Sequence, residues 1–276
     1  MHKLTKLAIF ATLTAFSVFA IGCGGGDKKA EKKADPNAPL KIGVTAGPHA
    51  EIIDNVVKLA AKENLKVQAV EFSDFVTPNI ALNDKQLFAN SMQHKPYLDA
   101  TLKKNPNFKL VNCFNTVTFP MAIYSKKIKK LEEIKEGMTV AIPNDPSNGG
   151  RALLVLADKG IITVKDKNSI STSVADITGN AKKLKIKELD AAAIPKALGD
   201  VDFAVINANY AMVGKLDIKK DALAVERPDN PYVCIFVTTE ANAKDPRIAQ
   251  LKKIYQSAEN KKFIEDHFKG SILAGF

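Results

Sequence analysis

Residues 140–156 read VAIPNDPSNGGRALLVL. The apolar start predicts a short buried strand, the Pro, Asn and Gly residues predict a turn, and the apolar end predicts an amphipathic helix. The first turn of such a helix favours an anion because its backbone N–H groups lack partners. Asn148 and Arg151 share a face if the helix includes both, and an arginine can bind a carboxylate through two parallel hydrogen bonds. On spacing alone, a plain strand–helix turn with one solvated arginine is the simpler interpretation.

Strand and helix patterns alternate from residue 40 to residue 268. This alternation predicts an α/β fold with mostly parallel sheets. Predicted helices include residues 51–63 and 80–87, and the last strand is predicted at residues 232–238.

Two places are typical of a change of lobe: Phe119-Pro120 and the segment 226–231, which contains two prolines. They divide the body of the chain into lobe 1 (40–122 plus 228–276) and lobe 2 (123–227), so the chain crosses between lobes twice. A ligand in such a protein should bind in the cleft between the lobes, at loops that follow strand ends.

The first 39 residues are not expected to join this fold. Residues 1–22 have the basic head and apolar run of a signal peptide, too short and too early to indicate a spanning helix. The run ends at Gly22-Cys23 and resembles the lipobox of bacterial lipoproteins, although Ala20 stands where a leucine is usual. That resemblance implies cleavage before Cys23 and lipidation of Cys23; an ordinary signal peptide with a stray cysteine is the alternative. Residues 23–39 are rich in Gly and Lys and predict a flexible tether.

Composition excludes several function classes. The net charge of +10 comes mostly from scattered lysines, without the arginine-rich stripe and interleaved aromatics of a nucleic-acid-binding protein. The histidines are scattered, so no metal site and no cofactor are expected. No catalytic triad or carboxylate pair has a credible spacing; His94 with Cys234 is the one nucleophile-like pair.

The two cysteines other than Cys23 are Cys113 and Cys234. Each is predicted in a strand beside one of the two lobe crossings, so they could lie close enough to form a disulfide in an exported protein. The alternative is two small buried hydrophobic side chains.

Two further clusters of polar and aromatic residues follow predicted strands. In the stretch 93–98, QHKPYL, Pro96 predicts a helix start flanked by His94 and Tyr97. Asn207 and Asn209 point to the same face if their strand continues through both. Each cluster could be a set of turn formers or could contact a polar ligand.

Six motifs together resemble the MetQ/NlpA family of methionine-binding lipoproteins, the soluble receptors of ABC importers, from the lipobox to the C-terminus. The motifs are Phe72–Asn79, Gln93–Leu98, Tyr124–Ile128, Pro143–Arg151, Val205–Ala211 and Pro231–Val233. The resemblance implies the two-lobed fold of a type II periplasmic binding protein.

The resemblance also implies a ligand site in the cleft. Arg151 would bind the carboxylate of an amino acid, Asn148 and Asn209 its other polar groups, with Asn207 as a further candidate. The side chain of the ligand would pack against Phe75, Met92, His94 and Tyr97. This chain departs from the family at Met92, where an aromatic is usual, at Phe75, where tyrosine is usual, and at Cys234, where asparagine is usual. Residues 85–90 also read KQLFAN in place of a Gly-Asp-x-Asp-Ala-Asn run.

These inferences predict a monomeric, lipid-anchored receptor that faces the periplasm or the cell exterior. It would capture an amino acid, with methionine the expected ligand, and pass it to an ABC permease, without catalysis. A receptor for another small apolar amino acid or a short peptide is one alternative. A surface antigen or adhesin, or an enzyme on the same scaffold, is another.

Overall fold

A computed structural model of the protein describes residues 38–276. The signal peptide, Cys23 and nearly all of the predicted tether lie outside the described residues. The strands are β1 (Leu40–Thr45), β2 (Val67–Phe72), β3 (Ala89–His94), β4 (Leu110–Thr118), β5 (Met121–Tyr124), β6 (Thr139–Pro143), β7 (Thr163–Val164), β8 (Ile177–Gly179), β9 (Lys185–Leu189), β10 (Phe203–Asn207), β11 (Ala222–Val225), β12 (Val233–Thr239) and β13 (Leu273–Ala274). The α-helices are α1 (Pro48–Lys62), α2 (Thr77–Asn83), α3 (Lys95–Lys104), α4 (Pro146–Asp158), α5 (Ile194–Ala197), α6 (Ala208–Val213), α7 (Pro246–Tyr255) and α8 (Ala258–Phe268). Across residues 38–276, none of the helices has the length and apolar character needed to cross a bilayer.

The first lobe is built on a six-stranded sheet with the order β13-β4-β12-β3-β1-β2. Helix α1 buries its i, i+1, i+4 positions Ile52, Ile53 and Val56 in the same core as Leu251 of α7 and Ile264 of α8. This is the apolar stripe that a period of 3.6 residues places on one helix face.

The second lobe is built on a five-stranded sheet with the order β11-β5-β10-β6-β9. The apolar residues that follow Arg151 form the buried face of α4, with Leu153 and Leu156 in one core with Val140 and Ile142 of β6. The sequence 140–156 is therefore a strand, a tight turn and a helix, as predicted.

The chain passes between the two sheets twice. Strand β4 of the first sheet leads through Phe119-Pro120 to β5 of the second sheet, and β11 leads through residues 226–232 back to β12. The two-lobed α/β fold with two crossings is thereby confirmed. The sheets are mixed, however: β1 runs parallel to β2 and β3, but β12 is antiparallel to β3 and β4. A strand that arrives from the other lobe does not need the helical crossover that keeps neighbours parallel.

Three predicted element bounds need correction. The helix predicted at 51–63 is α1, Pro48–Lys62, which starts earlier because proline is favoured at the first helical position. The helix predicted at 80–87 is α2, Thr77–Asn83, because the Asp74 carboxylate accepts hydrogen bonds from the backbone N–H groups of Val76 and Thr77 and starts the helix early. The strand predicted at 232–238 is β12, and it is not the last one, since β13 pairs with β4 at the edge of the first sheet.

The predicted disulfide between Cys113 and Cys234 is wrong, because both thiols are free. Register explains the separation: Phe236 of β12 lies opposite Phe114 of β4, so Cys234 is about three residues along the ladder from Cys113. Three residues span about 10 Å, beyond the ~7 Å that a disulfide tolerates between Cα atoms.

Candidate functional site

Helix α4 brings two of the predicted residues into the cleft. Asp145 is its N-cap, and the Asp145 carboxylate accepts a hydrogen bond from the Asn148 backbone N–H at 2.8 Å. A Cβ atom added to Gly149 would lie 2.7 Å from the carbonyl oxygen of Pro143, so only glycine allows the helix to approach β6 this closely. Asn148 and Arg151 are consequently turned inward, and each is 2% exposed. The anion expected at this helix N-terminus is the chain's own Asp145.

The Arg151 guanidinium is held on two sides. Its Nε and Nη2 atoms donate to the two carboxylate oxygens of Glu226 at 2.8 and 2.6 Å, and Nη2 also donates to the Phe119 carbonyl at 2.8 Å. Its Cζ atom lies 4.3 Å from the ring centroid of Tyr232, a cation–π contact. Within residues 38–276, Nη1 is the guanidinium nitrogen that makes no hydrogen bond. The fork expected to face a ligand carboxylate is thus partly taken by Glu226.

Asn148 is the centre of a buried amide network. Its Oδ1 atom accepts from Nδ2 of Asn207 at 2.8 Å and lies 3.1 Å from Nε2 of His94. Its Nδ2 atom donates to the Asp145 carboxylate at 3.0 and 3.1 Å. The Oδ1 atom of Asn148 therefore has two partners, whereas the contacts of Nδ2 all go to the single carboxylate of Asp145.

The protonation of His94 follows from its two contacts. The imidazole is the N-cap of α3, where Nδ1 accepts from the Tyr97 backbone N–H at 3.2 Å. Because Nδ1 accepts, Nε2 carries the proton and donates to Asn148. Burial, together with the positive charge of Arg151, lowers the pKa of His94 from 6.5 to about 3, so the ring is neutral.

Aromatic and apolar side chains form the side of the cleft opposite these polar residues. The Phe75 ring packs against Tyr97 at 5.8 Å and against Tyr210 at 4.8 Å between centroids. Met92 and Cys234 are buried on neighbouring strands β3 and β12. Two contacts cross the cleft here, the Phe75–Tyr210 ring pair and a hydrogen bond from the Tyr210 hydroxyl to the Ser73 carbonyl at 3.4 Å.

All nine predicted site residues surround one cavity between the lobes. They are Phe75, Met92, His94, Tyr97, Asn148, Arg151, Asn207, Asn209 and Cys234. The cavity measures about 20 Å³, which is room for roughly one water molecule. An amino acid must therefore displace the contacts that cross the cleft. The roles of these residues in binding stay predictions.

Asn207 and Asn209 reach the cavity in a different way from the one expected. Strand β10 ends at Asn207, which is the N-cap of α6, and Asn209 lies in the first turn of that helix. The two residues therefore do not lie on one strand face; Asn207 keeps extended backbone angles and ends the strand, and Asn209 is already helical. Oδ1 of Asn207 and Nδ2 of Asn209 are buried and have no hydrogen-bond partner within the part of the chain that the structure describes.

Three more residues line the cavity, His49, Gln93 and Phe119. The His49 ring lies 4.2 Å from the Phe119 ring, and burial lowers the pKa of His49 from 6.5 to about 3. The side-chain amide of Gln93 is already used within the first lobe. It hydrogen-bonds to the side chains of Asn79 and Asn90 and so links β3 to α2.

Sequence reasoning missed these three as site residues, together with Glu226 and Tyr232 beside Arg151. His49 follows β1 as Asn148 follows β6, so the rule that ligands meet loops after strand ends could have found it. Phe119 and Glu226 stand at the two predicted crossings, and Tyr232 directly follows the second. Nothing in the local pattern indicates that Glu226 pairs with Arg151, which lies 75 residues away in the chain.

No group of three or more His, Cys, Asp or Glu side chains within residues 38–276 is arranged to hold a metal ion. The polar groups at the cavity are instead one charged arginine, neutral imidazoles and amides. This set is able to hold a small zwitterion by hydrogen bonds and charge.

Comparison with known proteins gives consistent matches. The family model described as NlpA lipoprotein matches residues 40–276. A protein of Pasteurella multocida named probable D-methionine-binding lipoprotein MetQ is 41% identical over 99% of this chain and 100% of its own length. The D-methionine-binding lipoprotein MetQ of Escherichia coli K12 is 40% identical over 98% of this chain and 99% of its own length. A solved nutrient-binding protein of Burkholderia cenocepacia bound to methionine has a TM-score of 0.83 and 44% identity, and covers 86% of this chain and 100% of its own.

Proposed function

The chain belongs to the NlpA lipoprotein family, and from this premise we propose that it is a lipid-anchored solute-binding receptor of an ABC importer. It captures a free amino acid in the interlobe cavity, with methionine as the expected ligand, and passes it to a membrane permease. The observation that carries this proposal is the set of unpaired polar atoms at the cavity, counted over residues 38–276. These are Nη1 of Arg151, Nδ2 of Asn209 and Oδ1 of Asn207.

The three atoms match the two ends of a zwitterion. A carboxylate accepts, and Nη1 of Arg151 and Nδ2 of Asn209 are donors. An ammonium donates, and Oδ1 of Asn207 is an acceptor that the Asn207–Asn148 hydrogen bond orients. Within the described residues, Oδ1 of Asn207 and Nδ2 of Asn209 are buried as well as unpaired. Each such atom costs about 1–3 kcal/mol, so a ligand that pairs both recovers that cost on binding.

The opposite wall favours an apolar ligand side chain. Phe75, Met92 and Tyr97 offer ring faces and a thioether, which are polarisable and suit the sulfur of methionine. None of these three side chains carries a charge that could pair a second ligand charge, so charged amino acids should be rejected. The names of the relatives and of the methionine-bound neighbour support the same ligand.

The site also argues against the enzyme alternative. Burial raises the pKa of the Cys234 thiol to about 12, so it does not form a nucleophilic thiolate near neutral pH. The Nε2 proton of His94 is engaged by Asn148, and Nδ1 is engaged by the Tyr97 backbone, so neither nitrogen is free to act as a base. A receptor function without catalysis is therefore what the geometry supports.

Membrane attachment rests on Cys23 and on the lipoprotein family. A bacterial lipoprotein carries several acyl chains, each of which contributes roughly 0.8 kcal/mol per buried methylene. We propose that the receptor is monomeric and faces the periplasm or the cell exterior, where it meets the solute.

The test is a ligand panel on protein stripped of bound solute by unfolding and refolding. Thermal shift and titration calorimetry are run with the free amino acids, including both stereoisomers of methionine, and with a methionine ester. Stabilisation by methionine, with smaller shifts for apolar amino acids of similar size, is the expected result. Stabilisation by lysine, glutamate or histidine alone would overturn the ligand, no amino-acid binding would overturn the receptor, and ester turnover would favour the enzyme.

A further inference from the structure

We infer that Glu226 is a positioning residue for the ligand site, which holds Arg151 in the orientation that presents Nη1 to a ligand carboxylate. This inference rests on the proposed function and adds a residue that does not line the cavity itself.

The contact between the two side chains is a buried bidentate ion pair. The Arg151 side chain is 2% exposed and the Glu226 side chain 6% exposed, and both carboxylate oxygens accept from the same edge of the guanidinium. Two parallel hydrogen bonds fix the plane of a guanidinium in a way that a single bond cannot. With Nε and Nη2 facing Glu226, the remaining nitrogen must face away from it.

Glu226 is itself fixed by the first crossing. Its backbone N–H donates to the Met121 carbonyl at 2.8 Å, and its Oε2 atom accepts from the Met121 backbone N–H at 3.1 Å. The Phe119 carbonyl, in the same crossing, accepts from Nη2 of Arg151. Glu226 therefore joins the arginine of helix α4 to both segments that connect the lobes.

A second consequence is electrostatic. Glu226 balances the charge of Arg151, so the pair is neutral before a ligand arrives. A buried arginine without this partner would be strongly unfavourable, and it would be free to turn toward other acceptors near the cavity. The carboxylate of Glu226 thus preserves both the charge and the direction of the group that binds the ligand.

A double-mutant cycle on the full chain tests this role, with L-methionine as the probe in titration calorimetry. The variants are Glu226→Gln, Arg151→Met and the double variant. The glutamine amide keeps the size of the side chain, but its NH2 group would face the N–H donors of Arg151 where a carboxylate oxygen now accepts. We therefore expect the affinity for L-methionine to fall about 10- to 100-fold, the range seen when a residue that orients a binding group is removed. Because Glu226 acts through Arg151, the double variant should bind no more weakly than Arg151→Met alone.

The matched control is Asp158→Asn. Asp158 is a partly buried carboxylate that pairs with Arg227, the residue after Glu226, at 3.0 Å and does not line the cavity. This control should keep the wild-type affinity. If Glu226→Gln does not fold, Glu226→Asp replaces it. This variant keeps the charge but shortens the side chain by one methylene, so the bidentate contact with Arg151 is lost and affinity should fall in the same direction.

Three results would count against the inference. The inference would be overturned if the fold-losses in methionine affinity of the two single variants multiplied in the double variant. An affinity of Glu226→Gln within twofold of wild type would also overturn it. Wild-type protein that binds no amino acid would overturn the proposed function and this inference together. If the wild type binds methionine and Glu226→Gln binds it equally well, the role of Glu226 is refuted and the proposed function stands.

Discussion

Nε2 of His94, in the first lobe, lies 3.1 Å from Oδ1 of Asn148, in the second lobe. This hydrogen bond crosses the cleft between two buried side chains. Because Nδ1 of His94 is already bonded to the Tyr97 backbone, the ring can serve only as a donor toward Asn148. The bond therefore joins the lobes when they are closed, and Nε2 is the donor.

The Asn148→Ala substitution removes the acceptor shared by His94 and Asn207. Two buried donors then lack partners, at about 1–3 kcal/mol each, so we expect the free energy of unfolding to fall by about 2–6 kcal/mol in urea denaturation. Asn144→Ala, at an exposed position of the same turn, is the control and should stay within about 0.5 kcal/mol of wild type. Equal effects of the two substitutions would contradict the network.

The Arg151→Ala substitution should lower stability as well as ligand affinity. It leaves the Glu226 carboxylate buried and unpaired, which typically costs about 3–5 kcal/mol of unfolding free energy. Arg247→Ala breaks the Arg247–Asp245 pair, whose side chains are 34% and 21% exposed, and should cost less than about 1 kcal/mol. Urea titrations of the ligand-free variants compare the two. A stable Arg151→Ala protein would show that the buried pair does little for the fold.

Stability should decrease below neutral pH because of His49 and His94. Burial lowers the pKa of both from 6.5 to about 3, so between those values the unfolded chain binds protons that the folded protein does not. The stability contributed by each neutral ring is full above pH 6.5 and is lost as the pH falls toward 3. From pH ~7 to pH ~5 each histidine should remove about 2 kcal/mol.

The measurement is the unfolding free energy of wild type and His49→Gln at both pH values. Other titrating groups contribute equally to the two proteins, so the wild type should lose about 2 kcal/mol more than the variant. The same pH dependence in both proteins would mean that His49 is protonated in the folded state.

Restoring an amide at residue 234 should strengthen ligand binding. Cys234 lines the cavity where the family usually has asparagine, and its thiol is a weak hydrogen-bond partner. We expect Cys234→Asn to raise methionine affinity by about 1–3 kcal/mol, roughly 5- to 150-fold, in titration calorimetry. Cys113→Asn, outside the cavity, is the control. Unchanged or weaker binding by Cys234→Asn would show that another group already fills this role.

The Cys23→Ser substitution should release the protein from the membrane. Cys23 lies outside the described residues, and the prediction comes from the apolar run that ends in Gly22-Cys23. Without acyl chains the anchoring free energy is lost, so the variant should move to the soluble fraction after centrifugation of a cell lysate. Membrane partition that matches wild type would exclude lipidation at this residue.

Much of the site could be predicted because its residues stand at the ends of local elements. His94 and Tyr97 flank a helix start that Pro96 marks, and Asn148 and Arg151 share one turn of α4. Contacts at i, i+3 depend on backbone geometry that a short stretch determines by itself. The family resemblance supplied Phe75, Met92 and Cys234, whose side chains carry no local signal.

Local sequence patterns were enough to predict the alternation of strands and helices, the two crossings and the amphipathic helix α4, because apolar periodicity and the placement of Pro and Gly are properties of neighbouring residues. The three-dimensional structure was needed to find that Glu226 pairs with Arg151, 75 residues away in the chain, and that Asn207 donates a hydrogen bond to Asn148, 59 residues away. It also decided that Cys113 and Cys234 stay apart, because strand register sets which residues face each other. Contacts between distant segments depend on how whole elements pack, and a local pattern does not contain that information.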